Sequence, residues 1–352
     1  MPERVRVGIL GAGNAGTGHA SAFSQLPDVE VVALWSRTRA RAEGLAGQLY
    51  LEGVQVYDDW QALIEQAEVD VISVATPEFL RRAPVAMALE RGRHVLVEKP
   101  FSIELADAQA MVRLAEGAGT VTATCFVWRY APGAQVARRE VQAGRLGKLL
   151  DIQMEWRFGA TPRQVLQWNP WGKDVRTGLL GVGGSHEFDR ARFLTGCEFE
   201  SLVGRVSTAC LSQEPEYALE CGAYMLLAEL TDEVLAQFRC TLTTGQPESS
   251  LLLHGEGGTL HVTHPAVVRR YAGDEEDVPL EVPASDQVPE GAGLMQHVWN
   301  RLSADFVTAI RRGDVAHASV PHLPTFVDGL HAQEVIAAAQ RTETERCWVH
   351  VR

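Results

Sequence analysis

The sequence has no apolar run near the roughly 20 residues of a membrane span. Its first residues, Met1 to Val5, pass straight into a strand pattern without the apolar core of a secretory signal. A cytoplasmic protein is expected. Cysteine is sparse and scattered: Cys125, Cys197, Cys210, Cys221, Cys240 and Cys347 form no Cys-x-x-Cys pair and no tight Cys/His cluster. That spacing argues against a disulfide framework or a zinc site, and implies buried or free thiols in a reducing compartment. No metal is expected. Positive charge is also short, with 32 basic against 45 acidic residues and a net charge of -13. Nucleic acid and anionic membranes are therefore excluded as partners, and an anionic ligand would need a local positive site. No internal repeat is found.

What is present is an ordinary globular composition, 46% apolar and 22% charged, in a chain of 352 residues that exceeds what one core usually organises. Two domains follow as the expectation, cut at 128/129. In the first, apolar runs at Val5 to Leu10, Val29 to Trp35, Val69 to Ala75, His94 to Val97 and Val121 to Phe126 read as buried strands. Helical patterns separate them at Ala15 to Leu26, Thr38 to Leu49, Trp60 to Ala67, Glu78 to Arg91 and Ser102 to Gly117, the last with Ser102 as N-cap. Strands alternating with helices at this pace predict right-handed crossovers and a doubly wound parallel sheet.

Beyond Gly147 the period changes. Leu150, Ile152, Met154, Trp156 and Phe158 alternate with Asp151, Gln153, Glu155 and Arg157, a strand with two chemically different faces. Further strands are expected at Phe199 to Thr208, Gly222 to Leu230, Val234 to Thr243, Ser250 to His254 and Thr259 to Thr263. Gly273 to Gly293 reads as a solvated loop, followed by helices at His297 to Arg312 and Thr325 to Arg341. The fold class is therefore α/β, with a C-terminal α+β domain built on an open, largely antiparallel sheet.

The chemistry-bearing motifs lie mostly in the first half. Gly11, Gly13 and Gly16 form a G-x-G-x-x-G turn that follows the first strand and opens a helix, which is the context a dinucleotide fingerprint requires. Gly11 allows the tight turn, Gly13 lets backbone approach a pyrophosphate, and Gly16 allows close helix packing, with Asn14 and Ala15 at the helix N-terminus facing the anion. The first domain is thus a Rossmann domain. The acidic residue that would bind a ribose 2′-hydroxyl is missing from the end of the second strand, where Ser36 and Arg37 stand instead. A hydroxyl and a guanidinium suit a 2′-phosphate, which favours NADP(H). Arg37 stacked on an adenine would suit NAD(H) equally. Lys99 follows a buried strand and precedes Pro100, which forces a strand exit and presents the ammonium at the carboxyl end of the sheet, where ligands bind.

Taken together, these residues resemble the glucose-fructose oxidoreductase, inositol dehydrogenase and MocA-like (Gfo/Idh/MocA) family over nearly the whole chain. The resemblance runs through Thr76-Pro77, Glu98-Lys99-Pro100, Phe126-x-x-Arg129-x-x-Pro132, Gly144 to Gly147, and Gly178 to Asp189 with His186. It implies an NAD(P)-dependent oxidoreductase acting on the CH-OH group of a small carbohydrate, polyol or related hydroxy or keto compound. Thr76, Pro77, Glu98 and Lys99 would border the cofactor, Lys99 would hydrogen-bond the substrate oxygen, and His186 would carry the proton. Arg129, Trp171 and Lys173 would contact substrate with Lys99 and His186, while Tyr130, Trp168, Asn169 and Arg176 lie in segments that border the cleft in relatives. A homodimer or homotetramer through the C-terminal sheet is expected by the same analogy.

One departure stands out. Family dehydrogenases often place an aspartate four residues before this histidine, and this chain has Val182. The imidazole loses an orienting carboxylate, which leaves open a non-catalytic sensor that binds dinucleotide and sugar. Asp189, three residues after His186, is the nearest replacement in sequence. Arg81 stands where relatives often carry histidine. His261 and His264 are spaced wrongly to share a strand face, so they are not a metal pair. Trp60 and Trp348 read as packing residues.

Overall fold

Six short runs build the first sheet: β1 (Val5–Leu10), β2 (Val29–Trp35), β3 (Gln55–Tyr57), β4 (Val71–Val74), β5 (His94–Val97) and β6 (Thr122–Thr124). The computed structural model describes residues 4–159, 178–207, 222–242, 247–263, 267–271 and 278–352. All described pairings in this sheet are parallel, in the order β3-β2-β1-β4-β5-β6. The order reverses between β1 and β4, so the ligand crevice of a doubly wound sheet opens at their carboxyl ends. Strand β3 has too few residues to carry a periodic signal, and the sequence reading passes over it.

Helices α1 (Asn14–Ser24), α2 (Arg39–Gln48), α3 (Trp60–Gln66), α4 (Arg82–Glu90) and α5 (Leu105–Ala118) connect the strands. Asp59 caps α3 by accepting from the backbone N–H groups of Gln61 and Ala62. The expected Ser102 cap is corrected: α5 has Glu104 as its N-cap residue, and the Ser102 hydroxyl donates to the Glu104 carbonyl at 2.8 Å.

The packing divides the chain at more than one point. Residues 288–330 pack with 1–127, while 128–287 and 331–352 form the other unit, so the single cut at 128/129 does not describe the compact units. The reason lies in α8 (Leu294–Arg312), whose Trp299 fills the space over Gly18 on α1, where a Cβ would come within 2.3 Å of the indole. Trp299 also meets His19 edge-on, with ring centroids 6.3 Å apart.

The second unit carries β7 (Leu149–Arg157), β8 (Phe199–Ser207), β9 (Ala223–Leu230), β10 (Leu235–Thr241), β11 (Glu248–Gly255), β12 (Gly258–Thr263), β13 (Val267–Tyr271), β14 (Val278–Leu280) and β15 (Val349–His350). Among the described residues they form one sheet, ordered β14-β13-β12-β11-β7-β10-β9-β8-β15, antiparallel except for the β7/β10 pair. Its core is formed with α6 (Pro132–Gln142), α7 (Ser185–Thr195) and α9 (Phe326–Glu345). On β9, Tyr224, Leu226, Ala228 and Leu230 are buried, while Met225 (57% exposed) and Leu227 (52%) face outward with Leu235 (56%) of β10.

Three expectations change here. Leu150 points out of the core because a register shift leaves it between the pairs Asp151/His254 and Leu149/Gly255. The stretch read as a solvated loop contains β14, and its Asp286 is 2% exposed and paired with Arg139 at 2.6 Å. Trp348, read as packing, is 47% exposed, whereas Trp60 packs against the first core.

Candidate active site

The Gly-rich turn has the shape its residues demand. Gly11 has φ +115°, and a Cβ there would come within 2.6 Å of the Ala75 carbonyl; a Cβ on Gly16 would sit 1.9 Å from the Gly11 carbonyl. By contrast, a Cβ on Gly13 would meet nothing within 4 Å, so open space lies in front of the turn where α1 begins with Asn14 and Ala15. Unpaired N–H groups of a helix's first turn favour an anion there. Beside it lies a hollow of about 500 Å³ lined by Leu10, Trp35, Arg37, Thr76, Phe79 and Leu80. A mostly apolar hollow of that size with a nearby helix N-terminus fits a dinucleotide. Arg37, which lines it, is exposed, and the adjacent Ser36 is half-buried.

Lys99 rests on a buried polar scaffold in the same unit. Its backbone N–H donates to its neighbour's Glu98 Oε2 at 2.9 Å, and Glu98 is 5% exposed. His19, 1% exposed, bridges Glu98 Oε1 at 3.1 Å and Ser73 Oγ at 2.7 Å, and the Cys125 thiol lies 3.3 Å from the same imidazole Nε2. Burial pushes the Glu98 pKa up, but the hydrogen bond and charge of His19, with Lys99 and Arg81, outweigh it and hold the carboxyl down at about 2. Burial, reinforced by the Glu98 charge, keeps the Cys125 thiol protonated. The ligand atoms of His19, Glu98 and Cys125 fall within 4.8 Å of one another, a mixed N/O/S donor set brought together from distant parts of the chain.

Arg81 ties this scaffold to the neighbouring loop. Its Nε donates to the Thr76 carbonyl at 2.9 Å, Nη1 to the carbonyls of Glu98 (2.5 Å) and Pro100, and Nη2 to that of Lys99 at 3.4 Å. The fork of a guanidinium can hold several carbonyls at once, which a histidine at this position could not do. The Thr76-Pro77 and Glu98-Lys99-Pro100 segments, both read as cofactor-bordering, are thereby fixed to each other.

In the second unit, a π-helical turn at Leu180–Gly184, which includes Val182, runs into α7 and delivers His186 to its first turn. His186 is 5% exposed and flanked by aromatic rings, with Trp128 at 6.4 Å and Trp156 at 6.5 Å between centroids. Trp156 stacks on Phe158 at 4.6 Å. Asp189, the candidate replacement for the missing aspartate, is 1% exposed and grips Arg129 in a two-point ion pair, with Nε–Oδ2 2.8 Å and Nη2–Oδ1 2.5 Å. The geometry therefore gives Arg129, expected at the substrate, an internal partner. Trp171 and Lys173 lie outside the described residues, as do Trp168, Asn169, Arg176 and His264.

Glu187 was not singled out from sequence. Its side chain accepts a hydrogen bond from Tyr224 Oη, and full burial pushes its carboxyl pKa up to about 8, against the lesser pull of Tyr224 and Arg190. The folded chain keeps that proton up to about pH 8, whereas an unfolded chain releases it near pH 4.5. Its contribution to stability is thus complete below the unfolded value and is lost as the pH rises through 8. Urea unfolding at pH 5 and 8.5 is expected to show a pH-dependent loss in the wild type that Glu187→Gln reduces by up to about 5 kcal/mol.

Comparison with known proteins agrees with this geometry. Residues 5–126 match the profile of the oxidoreductase family with an NAD-binding Rossmann fold, and residues 134–261 match the GFO/IDH/MocA C-terminal domain. The chain belongs to the Gfo/Idh/MocA family. Similar family members include the levoglucosan dehydrogenase of Pseudarthrobacter phenanthrenivorans, 24% identical over 99% of this chain and 98% of the relative. The glucose-6-phosphate 3-dehydrogenase of Bacillus subtilis is 24% identical over 94% of each chain. Among solved structures, levoglucosan dehydrogenase in complex with NADH and levoglucosan superposes with a TM-score of 0.87 at 20% identity, covering 99% of each chain. Within this Gfo/Idh/MocA chain, the sequence reading missed His19, Ser73, Cys125, Glu187 and Tyr224; their partners are too distant in sequence for any local pattern to reveal them.

Proposed function

We propose that the protein is an NAD(P)-dependent dehydrogenase or reductase acting on a CH-OH group of a small carbohydrate, polyol or related hydroxy or keto compound. The observation that carries this reading is the mounting of Lys99. It leaves the carboxyl end of β5 on the buried Glu98–His19 pair, its carbonyl is held by Arg81, and the dinucleotide turn leaves the same edge of the sheet from β1. Gly11, Gly13, Asn14, Ala15 and Gly16 would hold the pyrophosphate, with Thr76, Pro77, Glu98 and Lys99 bordering the rest of the cofactor. The nicotinamide, when bound, accepts or supplies the hydride. In the oxidising direction Lys99 donates a hydrogen bond to the substrate oxygen and stabilises the charge growing on it, and His186 takes the hydroxyl proton. The Trp156 and Phe158 rings supply flat apolar surface of the kind sugar faces stack on. Trp171 and Lys173 are assigned to the substrate from sequence alone, and Arg129 is assigned to positioning α7 through Asp189.

Ser36 and Arg37 support NADP(H) as the favoured cofactor within an NAD-binding fold. Arg37→Ala is expected to lower the ratio of kcat/KM for NADP over NAD about tenfold, the loss of one charge-assisted phosphate contact. Steady-state kinetics with both cofactors checks this; tighter NAD binding in the wild type, or an unchanged ratio, defeats the preference. The outward apolar residues Met225, Leu227 and Leu235 are assigned to self-association in a cytoplasmic homo-oligomer.

The test of the activity is nicotinamide reduction at 340 nm with a panel of sugars, polyols and sugar acids, and the reverse reaction with keto sugars. Turnover of at least one class supports the reading. Tight cofactor binding with no turnover of any class replaces it with the sensor that Val182 suggests.

A further inference from the structure

One turn beyond His186 on α7 sits Arg190, and spacing of four residues puts both side chains on one face of the helix. Arg190 lines a hollow of about 60 Å³ with Trp128, Ala131, Trp156, Ser249 and Leu251. Trp128 and Trp156 are the same two indoles that flank the His186 ring. Since about 10–15 Å³ of such space holds one water, the hollow has room for several waters or for a polar substituent of a larger ligand.

Arg190 has no counter-ion among the described residues. Its guanidinium makes one polar contact, Nη2 to the Met154 sulfur at 4.0 Å, and its Nε meets no acceptor. Each nearby acid is committed elsewhere. Asp189 is held at two points by Arg129, and Glu155 lies between Arg157 (3.4 Å) and Arg239 (3.2 Å). Glu187 is bonded to Tyr224, and burial keeps its carboxyl protonated to about pH 8. Burial also pulls the Arg190 pKa down, the signature of a cation short of compensation. Arg190 is half-buried with its Nε enclosed, and a guanidinium placed there without an anion is costly; a carboxylate presented to its planar fork satisfies it with two parallel hydrogen bonds.

We propose that this hollow seats a carboxylate of the substrate, so that the compound handled at His186 is a sugar acid, an aldonate or a uronate. The inference rests on the dehydrogenase reading for the reaction, but not for the binding. The two indoles shield the ion pair from water while Arg190 fixes which end of the substrate lies along α7. A neutral sugar leaves the guanidinium uncompensated, whereas the two coplanar oxygens of a carboxylate match the fork of a single guanidinium.

The experiment combines calorimetry and kinetics with D-glucuronate, D-gluconate, D-glucose and D-glucose 6-phosphate, on the wild type, Arg190→Gln and Arg190→Lys. The expected result is that at least one of the two acids binds at least tenfold more tightly than glucose or glucose 6-phosphate. In Arg190→Gln the acid-over-glucose ratio of affinity falls about 100-fold, and Arg190→Lys, which keeps the charge without the fork, recovers part of it. Where turnover is measured, the loss appears in KM more than in kcat. Equal binding of acids and glucose, preference for the phosphate, or an equal loss for all ligands in Arg190→Gln overturns the proposal. Selective acid binding that depends on Arg190 but gives no turnover leaves this site standing and overturns the dehydrogenase reading instead. A melting temperature of Arg190→Gln near that of wild type shows that the variants are folded.

Discussion

Replacing Lys99 with alanine is expected to lower kcat about 1,000-fold while changing the cofactor dissociation constant less than about fivefold. The magnitude is that of removing one preorganised donor from a developing oxyanion, and the separation of the two effects follows from how the residue is mounted. Backbone contacts hold the segment: the Lys99 N–H reaches Glu98, and Arg81 holds the carbonyls of Glu98, Lys99 and Pro100. Alanine leaves every one of these contacts in place, so the variant reports the ammonium alone. Lys99→Arg is expected to remain well below wild type, because a planar fork on a longer stem places its charge differently. Stopped-flow turnover and fluorescence titration of the reduced cofactor measure the two quantities. A parallel loss of turnover and cofactor affinity would assign Lys99 to cofactor binding only.

The second large effect is on stability. Asp189→Asn is expected to destabilise the second unit by about 3–5 kcal/mol, with a fall in melting temperature of about 10 °C, because it strands the Arg129 guanidinium in the interior. Arg129 is 5% exposed and its guanidinium lies 5.1 Å over the Phe193 ring of α7, so the stranded charge stays in the interior. Removing both charges, Asp189→Leu with Arg129→Met, is expected to cost less than the single change. Denaturant melts of the three variants decide the matter. A single variant as stable as wild type would mean that the pair contributes nothing to the unit.

These two residues mark the boundary of what was legible in the sequence. Lys99 could be found because its signal is local: the three apolar residues Val95 to Val97, then Glu98, the lysine and a proline state both a strand and its end. The Gly-rich turn is local in the same way, since Gly11 and Gly16 are required by contacts within one strand–turn–helix unit and its neighbouring strand. The alternation of Ile152 and Met154 along β7 and the parallel pairing of the first sheet were legible from hydrophobic period and from strands alternating with helices. The groups that hold the site in place were not legible. His19 and Glu98 are 79 positions apart and meet only because β5 lies two strands from β1 with α1 above them. Asp189 looked free to orient His186, and only the fold shows its carboxylate taken by Arg129, 60 positions away. Asp286 sat in a stretch whose composition is that of a solvated loop, yet Arg139 draws it into the interior. Sequence period reports which face of an element is apolar; it does not report which buried polar groups find one another.

The central claim is that a hydride passes between a substrate carbon and the nicotinamide while Lys99 holds the substrate oxygen. The most direct test incubates the protein with oxidised cofactor and carbon-deuterated glucose, myo-inositol or glucuronate, and reads the product cofactor by proton NMR. Deuterium at one face of nicotinamide C4, with the rate of its arrival reduced about 1,000-fold in Lys99→Ala, is the expected result. Tightly bound cofactor that acquires no deuterium from any of the three compounds would contradict it.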